Sequence, residues 1–196
     1  MILKRLTQQE INKILSQKSV FERAQQITGV PWQAIAAIWY RESFSLAPPK
    51  RPGGQFQFDP PLTKSGIKHL LDLYTKLPEH DKEWMVASGQ EHFQTAAILA
   101  ACWLRHKAKP VLTPDSPDEH IKDAFYGYNG RAYGSAGMSP YVMNYFDEGH
   151  FEMRVYGTVR RPDGTNERLK DAYGKDGVPN KQIGAFVIYR QLRDLK

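Results

Sequence analysis

The sequence predicts a mainly helical single domain over residues 1–196, with a small β-hairpin appended near its C-terminus. Three observations carry this expectation. Apolar residues recur at intervals of three and four through most of the first 145 positions, the pattern of helices that bury one face. The nine-residue run from Ala96 to Leu104 is apolar almost throughout, as in a helix surrounded by others. Beyond about residue 150 the chain turns to MRVYGTV, RPDG and TNERLK, which are strand formers, turn chemistry and a segment able to pair back.

Taken in order, Leu6, Ile11, Ile14, Leu15, Val20, Ala24 and Ile27 predict one helix over 5–28, opened by a Thr7 to Glu10 capping box and closed by Gly29. Pro31 suits a helix start, and PWQAIAAIWYRES continues with Trp32, Ile35, Ala36, Ile38 and Trp39 on one broad face to an end near Ser43. Five prolines and two glycines between Leu46 and Pro61 exclude helix and central strand, leaving a structured loop. Ile67, Leu70, Leu71 and Leu73 predict a helix over 65–77 that Pro78 ends. The buried helix spans 91–107, with Arg105, His106 and Lys107 complementing its negative end. A Pro-rich link at 110–117 leads to a helix capped by Asp118 and running to about Tyr126, with Gly127 and Gly130 bracketing a turn. A short helix is expected over 140–145, and another from Ile183 to Leu195.

Charge and composition narrow the function. There are 27 Lys and Arg against 21 Asp and Glu, a net +6, with a pI near 9.3, so polyanionic partners are favoured. The basic residues are scattered without a basic helix or binding motif, which argues against nucleic acid. The longest apolar run is far shorter than the ~20 residues of a membrane span. The N-terminus lacks the apolar stretch of a secretory signal, so no signal peptide is expected. The single Cys102 excludes an internal disulfide and reads as a buried small hydrophobe. The six histidines have no His-Glu-x-x-His spacing, so neither a metal nor another cofactor is expected.

Candidate chemistry centres on Glu42. It lies one turn beyond Ile38 and Trp39, on or beside the apolar face, and near the negative end of its own helix. Desolvation and that helix end both disfavour the ionised form, which suits a general acid. The same spacing also fits a Glu42 that faces solvent or pairs with Arg41. Downstream, GGQFQFDP permits close backbone approach at Gly53 and Gly54 and offers the Gln57 amide to a ligand. YGYNGRAYG gathers Tyr126, Tyr128, Asn129 and Tyr133 around glycines, either as a carbohydrate-type site or as a turn stabilised by its own aromatics.

The order of these elements resembles the lytic transglycosylase family, including its goose-type lysozyme relatives. Glu42-Ser43 matches the family's Glu-Ser at a helix end, Gly54-Gln55-Phe56-Gln57 resembles Gly-Leu-Met-Gln, Gly127-Tyr128-Asn129 resembles Ala-Tyr-Asn, and Tyr141-Val142 resembles a later Tyr-Val. The resemblance covers about 20–146, leaving 150–196 as a hairpin and helix without an assigned motif. It implies a lysozyme-like fold whose cleft binds peptidoglycan glycan strands. Glu42 would act first as acid and then as base in cleaving the N-acetylmuramic acid to N-acetylglucosamine bond, closing a 1,6-anhydro ring without water. Tyr128 would support catalysis near the reacting sugar, and Ser43, Phe56, Gln57, Asn129 and Tyr141 would bind it. Asp59, two positions after Gln57, resembles the goose-type aspartate and provides an alternative, hydrolytic reading in which it activates water. A third reading is an inactive wall-binding or virion-structural module.

The expected setting is the bacterial cell wall, with the protein acting as a monomer and reaching it by phage-mediated release, as a virion component or as a domain of a larger secreted chain. On that expectation the net positive charge draws the protein to an anionic wall. Clearing of isolated sacculi should therefore slow as salt rises from about 0.05 to 0.5 M; salt-independent clearing would remove that role for the charge.

Overall fold

The structure is a computed structural model that describes residues 5–43, 56, 58, 61–109, 111–128, 141–142, 158–160, 166–168 and 183–195. Among these are eight helices: α1 (Gln8–Leu15), α2 (Lys18–Thr28), α3 (Trp32–Ser43), α4 (Lys64–Tyr74), α5 (Glu79–Ser88), α6 (Phe93–Lys107), α7 (Asp118–Tyr128) and α8 (Ala185–Arg193). The chain is mainly helical. Two three-residue strands, β1 (Thr158–Arg160) and β2 (Asn166–Arg168), pair antiparallel with Val159 opposite Glu167.

Helix α6 is the hub. Every residue from Thr95 to Cys102 is buried, as is Leu104, and α2, α3, α4 and α7 all pack against it. Helix α3 lies between α2 and α8, burying Ala34 through Arg41 in unbroken succession. Helix α8 is part of the core, with Ile188, Tyr189 and Leu192 buried, and it joins the chain ends where the Leu6 backbone N–H donates to Gln191 Oε1 at 2.8 Å. Three helix ends are clipped by one side chain. Arg105 Nη1 donates to Thr28 O at 2.6 Å and to Tyr74 O at 3.1 Å, so a cation at the end of α6 meets the negative ends of α2 and α4.

Several local signals hold. The Thr7 and Glu10 capping box opens α1, and the Tyr40 hydroxyl also donates to Glu10, tying α1 to α3. Gly29 closes α2 in the left-handed region at φ 77°, where a β-carbon would be strained. The Pro31 carbonyl accepts from Ala34 and Ile35 as α3 begins.

Other expectations need correction. The single helix over 5–28 is two helices, because the chain turns at Ser16 and Gln17; the Ser16 hydroxyl donates back to Lys13 O at 2.7 Å, competing with helix continuation. Helix α4 stops at Tyr74, before the predicted 77. The sequence reading places no helix between Pro78 and Glu91, yet α5 occupies it. Only Met85 of α5 is buried, and it is held to α4 by Lys82 to Asp72 at 2.8 Å and by Lys68 to Glu79. Asp118 is the first residue of α7 and not its cap; the Pro117 carbonyl accepts the first helical bonds, while the Asp118 carboxylate pairs with Arg193 and Arg190 of α8. Tyr141 and Val142 form a turn, and the remainder of the helix expected over 140–145 lies outside the described residues.

Cys102 is fully buried, and desolvation pushes its thiol up to about 12. Iodoacetamide at pH 8 should leave the native protein unmodified and label Cys102 only as fast as the chain opens, measured by intact mass; rapid native labelling would contradict this packing.

Candidate active site

The candidate site forms where the last turns of α3 and α7 meet the approach to α8. In α3, Ile38 is fully buried and Trp39 nearly so, and one turn on, Glu42 and Ser43 are partly exposed at the helix end. Glu42 therefore borders the apolar face, as its spacing implies. Between them, Arg41 is only 9 % exposed. Its Nη1 donates to Ile183 O at 3.2 Å, and its guanidinium lies over the Tyr141 ring at 5.6 Å. A buried arginine can be tolerated there because the ring face and a carbonyl replace part of its hydration.

Helix α7 runs past the predicted end at Tyr126. Tyr126, Gly127 and Tyr128 are thus helical, and Gly127 brackets no turn. The Tyr128 ring stacks on Tyr141 with centroids 5.7 Å apart and planes at 28°, and the Tyr141 carbonyl accepts from the Phe186 N–H at 2.9 Å. The Tyr128 side chain is partly exposed, but its hydroxyl oxygen is enclosed and has no hydrogen-bond partner among the described residues. Burial, and then the negative charge of Glu42, raise this hydroxyl well above the ordinary tyrosine value. Two consequences follow: Glu42 and Tyr128 lie within each other's field, and the hydroxyl keeps its proton at any working pH.

Phe56 is fully buried and stacks on Phe93 at 6.2 Å. Phe93 in turn meets Trp39 at 5.7 Å and Phe21 at 5.9 Å. Phe56 is thus an anchor in the core, as is the nearly buried Phe58. Of the sequence-predicted site residues, Glu42, Ser43, Tyr128 and Tyr141 gather around the ends of α3 and α7, whereas Phe56 packs into the aromatic cluster. Gln57, Asp59 and Asn129 lie outside the described residues, as do Gly53, Gly54, Gly130 and Tyr133. Arg41 was legible only as a partner for Glu42; the signal for its other role is that it directly continues the buried stretch WY. Among the described residues, no group of three or more His, Cys, Asp or Glu side chains is placed to hold a metal ion, and no helix is long and apolar enough to cross a membrane. No family model, curated protein or solved structure matches the chain.

A buried hydroxyl without a partner carries a desolvation penalty of about 1–3 kcal/mol. Tyr128→Phe should therefore raise the free energy of urea unfolding by about 1 kcal/mol at unchanged m-value. A loss of stability would mean that the hydroxyl is satisfied in solution.

Proposed function

We propose that the chain is a peptidoglycan lytic transglycosylase with a lysozyme-like fold. The observation that carries the reading is the enclosed Tyr128 hydroxyl, without a hydrogen-bond partner among the described residues and within the field of Glu42. It supplies a donor in the field of a carboxyl group at a helix end, where aligned peptide dipoles favour the protonated acid. The order of the motifs around Glu42, Phe56, Tyr128 and Tyr141 supports the same reading.

In this mechanism Glu42 starts as the acid and gives its proton to the glycosidic oxygen as the bond to muramic C1 breaks. The resulting carboxylate then removes the proton of the muramoyl 6-hydroxyl, whose oxygen bonds to C1. Glu42 ends in its starting protonation state and no water is consumed. Tyr128 remains a neutral donor throughout and orients the sugar between the two steps. Ser43, at the helix end, and Gln57 and Asn129 are proposed to complete the substrate contacts.

The test is digestion of purified sacculi with mass analysis of the released muropeptides. Wild type should give anhydromuramoyl ends, about 18 Da lighter than hydrolysed ends, the difference being one water. Glu42→Gln should lower the rate by about 10²–10⁴-fold without loss of thermal stability. Reducing muramic ends would replace this reading with the hydrolase in which Asp59 activates water. Unchanged clearing by Glu42→Gln would remove Glu42 from the chemistry and leave a wall-binding or structural module.

A further inference from the structure

A second feature stands apart from Glu42. Where α2, α4 and α6 end together, a cavity of about 570 Å³ opens beside Thr28 and Gly29, just before α3 begins. Glu42 lies ten residues along α3 from Trp32, about 15 Å at the helical rise. Arg23, Lys76 and Arg105 line this cavity, and among the described residues no carboxylate does. Ile27, Leu77 and Leu112 supply apolar wall. The volume falls within the range that encloses small organic ligands.

Arg105 is the built part of the site. Its Nη1 is committed to Thr28 O and Tyr74 O, which fixes the plane of the guanidinium and neutralises two helix ends that would otherwise repel an anion. Its Nε is enclosed and has no partner among the described residues. Enclosed, that atom offers no surface to a ligand, and Arg105 acts on the cavity through its fixed positive charge. The surroundings are positive. The Tyr74 hydroxyl, at the cavity, lies 2.8 Å from His106 Nδ1, and burial together with the charges of Lys107, His69 and Lys109 holds His106 below its ordinary pKa.

We propose that this cavity binds a small organic carboxylate with an apolar body, the carboxylate among the positive charges of Arg23, Lys76 and Arg105, the body against Ile27, Leu77 and Leu112. The site is independent of the reading given to Glu42. Its test is titration of the full chain, followed by calorimetry and by amide chemical shifts, with N-acetylleucine, its neutral amide N-acetylleucinamide, and inorganic phosphate. The acid should bind at least about ten-fold more tightly than the amide, since only the acid carries the charge that the three cations attract. Arg23→Gln combined with Lys76→Gln should weaken the acid about ten-fold, leave the amide unchanged and leave the melting temperature within error, because both side chains stand outside the helix clip. Equal binding of acid and amide, or acid binding indifferent to the paired substitution, would overturn the proposal. Phosphate binding as tightly as N-acetylleucine would overturn the apolar half of the assignment.

Discussion

A helix that is apolar on every side has to be surrounded, and the fold depends on satisfying that condition for α6. From Thr95 to Cys102 no residue of α6 reaches solvent, so at 25 cal/mol per Å² or so each neighbour gains by covering part of it. Helices α2, α3, α4 and α7 do so. Residues small enough for close approach, Ala96, Ala97, Ala100 and Ala101, let these neighbours come near from several directions at once.

The two polar features of the molecule follow from that arrangement. Helices packed round a common axis end together, and helix ends leave carbonyls without intrahelical partners. At one cluster of ends, Arg105 takes up the carbonyls of α2 and α4. At the ends of α3 and α7, the structure assembles Glu42, the buried Arg41 and the Tyr128 and Tyr141 stack. There the local chemistry is less satisfied: a hydroxyl is enclosed, without a partner among the described residues, within the field of a carboxyl group. Unfavourable local arrangements of this kind are held in place by stable packing elsewhere, and they gather at positions where a ligand supplies the missing partner.

Much of the helical framework was legible because it rests on short-range signals. The apolar periodicity of α3, the uniform run of α6, the Thr7 and Glu10 capping box and the Gly29 stop all act within a few residues of one another. Helix α5 was not legible, since EHDKEWMVAS buries only Met85 and its support comes from Lys68 and Asp72 on α4, outside the segment. Asp118 looked like a cap because caps are usually Asp or Ser; its carboxylate is directed instead to Arg190 and Arg193, over seventy residues away. Phe56 reads as a ligand contact because Gly54-Gln55-Phe56-Gln57 resembles a family motif, and the ring it stacks on, Phe93, belongs to a distant helix.

The same division runs through the candidate site. That Glu42 follows Ile38 and Trp39 by one turn at the end of a helix is written in residue order, because helical geometry is a property of the local chain. So are the charge balance and the apolar run that organises the core. Long-range packing, by contrast, makes Tyr128 helical, encloses its hydroxyl within the field of Glu42, and commits Arg105 to the ends of two other helices. Those outcomes depend on which groups from distant segments are packed together. Desolvation and hydrogen-bond satisfaction are properties of that three-dimensional neighbourhood, and residue order does not contain them.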